Sequence, residues 1–508
     1  LADKRATADA GRGCVPARAN PPRGTALLIT ALAAVALLAA LVMLGRVHRI
    51  DLRIPGDENE GWNAYHAQTA LAGGALYPPA DSLISNNYPP LSFFVVAALA
   101  RPSGDCILAG RWLALLSELL VAVNLFSLTR YFCANPAGAA LASLAFLLCI
   151  GVNAQDYVAM DDPQWLGAAL MTTGAVLFLR ASERSSRKLE FTSAVLCVTA
   201  LFVKHNLMAL PLALAIWALL VNRRALLGWL LMSLALGFAG VGYALELFGP
   251  NFLIDVLHHS RVQSSHKMLL DGMRLLAPLT PLVLCTALLA LLAPRAAGTR
   301  LVLIYAAISL ALGLTFLRGI GTDVNMLFDF VMALCLGAGL LLDALLARLP
   351  AASSTLAPAA LVLGLAAVAA PMTPRAIAAS RALLVAEPRE RLAHAGLIET
   401  LSAARGPVAC EQLSLCYWAG LPFEIDFSNY GKKLHAGAVD PAPLRRRIDA
   451  QDFALIETEG PPGGRGKTTW LLGEVLSDLI ADRYVRVQQA EDQWILAPRG
   501  APALPVSP

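Results

Sequence analysis

Charge is scarce in this chain. Only 15% of its 508 residues are Asp, Glu, Lys or Arg, where a soluble globular protein carries roughly 25%, so a fold surrounded by water is excluded as the main architecture. Lysine is rarer still and supplies seven of the 40 basic residues. A formal charge of +4 and the lack of any basic-aromatic patch argue against nucleic acid as a partner. Metal-ligand spacing is missing too, since His258, His259 and His266 match no strong zinc pattern. The stretch Gly460–Thr468 (GPPGGRGKT) is not a phosphate loop. Six residues lie between Gly460 and Lys467, one more than that motif allows, and a flexible loop is expected there. The nine cysteines fall mostly inside apolar segments, as small packing residues.

What the chain has is apolar sequence, in long blocks. It is 57% hydrophobic with a mean hydropathy of +0.60, and a helix needs about 20 apolar residues to cross a bilayer. The blocks predict about eleven spans: Thr25–Gly45, Gly110–Leu128, Ala137–Val152, Trp165–Leu179, Phe191–Val203, Leu207–Val221, Ala225–Phe248, Leu275–Ala293, Leu301–Leu317, Met326–Leu346 and Leu356–Ala370. The first is too long for a signal-peptide core and is expected to be retained. Leu91–Ala100 is too short to cross and follows Tyr88-Pro89-Pro90, so it reads as a helix at the interface begun by the proline pair. The fold class is an all-α polytopic membrane protein carrying a small C-terminal α/β soluble domain.

Charge bias sets the orientation. With the N-terminus inside, the inner segments hold fifteen Lys and Arg and the short outer loops five, which favours a cytoplasmic N-terminus and an outward C-terminal domain. Residues 1–24 are expected to be a disordered cytoplasmic tail, 25–372 the membrane module with a first outer loop over about 46–109, and 373–508 the outer domain. In that domain Pro407–Glu411, Phe453–Glu457, Tyr484–Val487 and Gln493–Leu496 read as strands. Cys410 and Cys416 would lie where disulfides are permitted, and their spacing leaves pairing open.

This topology puts the polar clusters on one face. Asp57, Glu58 and Glu60 precede Trp62, Tyr65 and His66 on an expected amphipathic helix. Asp156, Asp161 and Asp162 lie in the turn after the third span, and Lys204, His205 and Asn206 break the fifth from the sixth. His258, His259, Arg261, His266 and Lys267 precede the eighth, and Arg318, Asp323 and Asn325 follow the ninth. Each has a structural reading as well. Asp57 with Glu60 matches a capping box, Asp162 before Pro163 would cap a helix, and Lys204 would snorkel to the interface. Glu118, inside the second span, is expected to meet a polar partner.

Four stretches in order, "PGDENEGWNAYHAQTALAGGALYPP", "NNYPPLSFFVVAALA", "VAMDDPQWLGAALM" and "LFVKHNLMALPLAL", together with the looser "GIGTDVNMLFDF", resemble the GT-C superfamily of polyprenyl-phosphate-sugar-dependent glycosyltransferases. The likeness covers about residues 25–346 and is greatest to the bacterial branch related to protein O-mannosyltransferases and lipid A aminoarabinose transferase. It implies Asp57 as the catalytic carboxylate, Glu58 as its neighbour and Asp162 as a second acidic site residue. It also implies Lys204 as the lipid-phosphate ligand. Around them Asp161, Tyr88 and Asn325 are expected to bind substrate, with His205 and Arg318 as candidates for a further phosphate contact. The aminoarabinose branch has a lysine just before the proline of the re-entrant segment, whereas Asn86, Asn87 and Tyr88 precede Pro89 here.

The resemblance thus implies a transferase of the bacterial inner membrane. Its partners would be a polyprenyl-phosphate-sugar donor, a glycan, lipid or protein acceptor on the periplasmic face, and membrane lipids. No fixed cofactor follows from these residues, although a divalent cation would suit the chemistry. One rival is a transporter or lipid flippase, which would favour ionisable groups near the midplane and internal repeats. Another is a non-catalytic receptor or assembly factor working through its outer domain.

Overall fold

The structure, a computed structural model, describes residues 23–221, 223–257, 260–348, 356–369 and 372–500. The expected tail therefore lies outside the described residues except at its last two positions, which already belong to the first helix. In hydrocarbon every backbone N–H and C=O must be satisfied within its own segment, and apolar runs become helices for that reason. The first is α1 (Arg23–His48). Two short helices, α2 (Glu58–Leu71) and α3 (Leu91–Ala100), fill the loop before α4 (Cys106–Phe132). The bundle continues through α5 (Pro136–Asn153), α6 (Gln164–Arg184), α7 (Arg187–Val203), α8 (Ala209–Val221) and α9 (Arg223–Phe248). After α10 (Asn251–Leu257) come α11 (Ser265–Leu276), α12 (Thr280–Leu292), α13 (Ala297–Leu317), α14 (Phe328–Arg348) and α15 (Leu356–Ala369).

All eleven apolar blocks form helices. Among the described residues eight helical runs are long and apolar enough to cross a membrane, α11 and α12 counting as one run of 28 residues. The helices built from the remaining blocks, α7, α8 and α15, have 17, 13 and 14 residues and fall short. The α7–α8 shortfall has a local cause. The chain leaves α7 at Val203 and re-enters helix at Ala209, and the break carries Lys204 into the protein interior rather than out to an interface.

A 30-residue helix, α16 (Thr373–Ser402), packs parallel to the end of α1. Gly45 donates its N–H to Ser380 Oγ at 2.8 Å, and Arg49 pairs with Glu390 farther along. The chain then builds a sheet in the order β1-β2-β4-β3 from β1 (Val408–Cys410), β2 (Leu455–Glu459), β3 (Tyr484–Ala490) and β4 (Gln493–Pro498). Strands β1 and β2 run parallel, the other pairs antiparallel, with a bulge at Arg486/Gln488. Helices α17 (Leu413–Trp418), α18 (Phe427–His435) and α19 (Ala442–Asp449) connect β1 to β2, and α20 (Lys467–Leu472) and α21 (Glu474–Arg483) connect β2 to β3. Cys410 and Cys416 are joined by a disulfide, their Cα atoms 6.1 Å apart.

The sheet-bearing part does not stand apart from the bundle. The sequence predicts an amphipathic α2, yet Glu60–Ala67 is buried on every face. Its outer side is covered by α17, so closely that a Cβ at Gly61 would lie 2.2 Å from the backbone N of Ser414. Tyr65 donates to the Leu421 carbonyl at 2.8 Å and stacks on Phe423. Glu118 departs from expectation in the other direction. It is fully buried in α4, and neither carboxylate oxygen has a hydrogen-bond partner among the described residues.

Candidate functional site

The first loop is fixed from below by one arginine. Arg111, in the first turns of α4, grips both oxygens of Glu60 at 2.7 and 2.6 Å and donates to the carbonyls of Arg49, Ile50, Leu52 and Ile54. Both side chains are almost completely buried. Glu60 also accepts from the N–H of Gly56 at 2.8 Å, so the expected capping box is displaced by one residue. Asp57 is the N-cap of α2, its carboxylate accepting from the backbone N and side-chain amide of Asn59 at 2.9 and 2.7 Å. Capping therefore holds the Asp57 side chain at the mouth of the loop. Burial, and then the charges of Glu58 and Glu60, push its pKa up to about 7.

Asp162 accepts from the N–H of Gln164, the first residue of α6, at 2.7 Å and from Lys204 Nζ at 2.6 Å. The N-cap itself is Pro163, so Asp162 meets the expected capping role only from one position before it. Lys204 also donates to the Tyr88 hydroxyl at 3.3 Å and lies over the Tyr88 ring. Asp161 is buried beside Glu60 with one carboxylate oxygen unpartnered among the described residues. Burial and the neighbouring charges of Glu60 and Asp162 raise its pKa well above the usual carboxylate range.

A cavity of about 560 Å³ opens between these elements, a size suited to a small polar ligand. Of the residues expected to form the site, Asp57, Glu58, Tyr88, Lys204, His205 and Asn325 line it. Asp162 does not. It sits one layer behind Lys204, 5% exposed, and neutralises it. Asp161 is buried and outside the lining, and Arg318 is exposed and outside it too. His205 lines the cavity but brings no charge at neutral pH, because burial and then Lys204 and Arg261 push its pKa down to about 4.

Neither residue expected to add a phosphate contact thus offers a charge to the cavity. Arg261, on the segment before α11, and Lys432, on α18, do. Neither has a carboxylate partner among the described residues, although Lys432 donates to Asn429 Oδ1 at 3.3 Å. Arg261 stood in a cluster visible in the sequence but carried no spacing signal. Lys432 lies more than 350 residues from Asp57 in a segment with no motif, so only the fold reveals it. Asp323, Tyr157 and Asn429 complete the polar wall. Among the described residues no group of three or more His, Cys, Asp or Glu is placed to hold a metal, and His258 and His259 lie outside them. Lys467, in the glycine-rich stretch, begins α20 and is engaged by Glu58 at 3.2 Å and Glu459 at 2.6 Å. That stretch ends in an ion-paired helix start, not in a free loop.

Chemically, the cavity offers a half-buried carboxylate with a pKa near neutrality and two cations without carboxylate partners. A proton acceptor poised near the working pH and fixed positive charge for an anion are thereby held in one cavity.

No protein-family model and no curated protein matches the chain. Solved structures do. ArnT from Cupriavidus metallidurans bound to undecaprenyl phosphate aligns with a TM-score of 0.58 and 14% identity, over 93% of this chain and 98% of that one. The Archaeoglobus fulgidus oligosaccharyltransferase in the apo form gives 0.53 and 11%, over 90% and 72%. The archaeal oligosaccharyltransferase AglB with an inhibitory peptide and a dolichol-phosphate gives 0.51 and 10%, over 85% and 69%. At such identities the likeness is one of fold: the chain shares the polytopic helical fold of these proteins and carries a small C-terminal sheet.

Proposed function

We propose that this protein is an integral-membrane glycosyltransferase that moves a sugar from a polyprenyl-phosphate donor to a hydroxyl acceptor, with inversion at the transferred carbon. The observation that carries the reading is the cavity itself, with the Asp57 carboxylate facing it alongside Arg261 and the neutralised Lys204. The fold shared with a protein crystallised with undecaprenyl phosphate and with another holding dolichol-phosphate supports a lipid-phosphate ligand.

In this mechanism Asp57 takes the proton of the acceptor hydroxyl as its oxygen bonds to the sugar carbon. The bond from that carbon to the phosphate oxygen breaks, and its electron pair leaves with the polyprenyl phosphate. The phosphate gains charge as it departs, so fixed cations stabilise the transition state more than the bound donor. Lys204, its ammonium shared among Asp162 and Tyr88, would meet the phosphate through hydrogen bonds. Arg261 would supply net charge. Glu58, tied to Lys467 and to Ser428, would position the loop beside Asp57, and Asp161 would support it from behind through Glu60. The cavity is proposed to open on the periplasmic side, where the lipid-linked sugar and a glycan, lipid or protein acceptor would meet.

The test is transfer in proteoliposomes containing the purified full chain, a set of polyprenyl-phosphate sugars and envelope acceptors, read by mass spectrometry. Product formed by the wild type and lost in Asp57→Asn supports the reading. Sugar-lipid flux across the bilayer with no product would instead favour a flippase.

A further inference from the structure

We infer that the C-terminal domain is part of the donor site: Lys432, on α18, is the second cation that receives the phosphate as it leaves. This rests on the transferase reading above and extends it to a residue outside the membrane module.

The need for such a group follows from charge. A sugar phosphodiester carries a single negative charge, and the phosphate monoester left after transfer carries up to two. On the cavity wall Lys204 is matched by Asp162 at 2.6 Å and His205 is neutral. Arg261 alone would therefore face a doubly charged product. The segment before Pro89 holds Asn86, Asn87 and Tyr88, with no cation. Lys432 is the remaining cation lining the cavity among the described residues.

Its placement is built rather than incidental. Helix α18 is anchored to the first loop at several points. Asp426, its N-cap, accepts from Trp62 Nε1 at 2.9 Å, and its N–H donates to the Leu83 carbonyl at 3.0 Å. Ser428 donates to Glu58 at 3.3 Å and Lys433 to the Ala80 carbonyl at 3.3 Å. These bonds hold the helix face bearing Asn429 and Lys432 toward the cavity. On the opposite wall the loop after α13 makes room for the lysine stem. A Cβ at Gly321 would lie 2.6 Å from Lys432 Cε, and the φ of +81° there suits glycine. Burial, and then Arg261, pull the Lys432 pKa down to about 8, so an arriving anion would both bind the ammonium and favour its charged form.

Two measurements on the full-length protein test this. The first is binding of polyprenyl phosphate to wild type, Lys432→Gln, Lys432→Arg and Arg261→Gln. Losing one charge-assisted hydrogen bond should weaken binding by about tenfold or more in Lys432→Gln. Lys432→Arg should regain most of it, and a polyprenyl phosphodiester should lose less than the monoester. The second needs no substitution. In the wild type, polyprenyl phosphate should shield Lys432 from an amine-acylating reagent at pH 8, read by peptide mass spectrometry, and phosphatidylglycerol vesicles should not. Undiminished monoester binding by Lys432→Gln with loss in Arg261→Gln, or unchanged labelling of Lys432, overturns the inference and leaves the transferase reading standing. Equal shielding by phosphatidylglycerol overturns it too, since the site would then hold a general lipid headgroup. A wild type that binds no polyprenyl phosphate at all removes the transferase reading itself.

Discussion

Removing the Arg111 guanidinium should loosen the first loop more than any other single change outside the cavity. Arg111→Gln leaves the Glu60 carboxylate 1% exposed with its cation gone and also strips donors from four backbone carbonyls. Breaking a buried ion pair from one side costs about 3–5 kcal/mol, a large share of a net stability of about 5–15 kcal/mol. Glu60→Gln should fall at the lower end of that range, about 3 kcal/mol, because it leaves the buried guanidinium without a counter-ion but with its carbonyl partners. The double variant should therefore cost less than the two singles summed, by about 1.5 kcal/mol or more. Denaturant unfolding in detergent, followed by tryptophan fluorescence, measures all three. If Arg111→Gln shifts stability by less than about 0.5 kcal/mol, as an ordinary surface change does, or if the cycle is additive, Arg111 is not the clamp described here.

Further outcomes follow from the same geometry. Asp57→Asn should slow transfer by about a hundredfold to ten-thousandfold yet be no less stable near pH 8. The Asp57 pKa is raised in the folded state, so its ionised form opposes folding as pH climbs from about 4 to 7, and Asn removes that opposition while still capping α2. Asp162→Asn should cost more than the double variant Asp162→Asn/Lys204→Met, because the single change strands a buried ammonium and the double does not; thermal unfolding compares them. Gly61→Val should force α2 and α17 apart, since its side chain would enter the Ser414 backbone, and faster protease cleavage near residue 414 would report it. Cys410→Ser/Cys416→Ser should lower the stability of the sheet-bearing part by about 2 kcal/mol, the scale for a short closed loop.

Much of the membrane module was legible in advance because the bilayer imposes a simple rule on sequence. Each apolar block became a helix, and Lys204, Asp162 and Asp57 sit at helix ends, where proline, capping and charge signals are local. All four strands were visible as short apolar alternations. What stayed hidden depends on contacts between distant segments. Burial of α2 needs α17, and the pairing of Cys410 with Cys416 needs the turn that α17 makes. The preference for Arg261 and Lys432 over Arg318 and His205 as available cations depends on which side chains face one cavity and which already have partners. Asp162 illustrates the limit well. Its residue type and position pointed to the site, but only packing shows it behind Lys204 rather than in the cavity.

In the proposed mechanism Asp57 accepts the acceptor's proton in this cavity. The most direct test is the single-turnover rate of sugar transfer from a polyprenyl-phosphate donor, followed from pH 5 to 9 in wild type and Asp57→Asn. With a carboxylate pKa of about 7, the wild-type rate should climb about tenfold per pH unit below neutrality and flatten above it, while the Asp57→Asn rate stays low throughout without that inflection. An Asp57→Asn protein that transfers sugar at close to the wild-type rate, with the same rise through neutrality, would contradict the account.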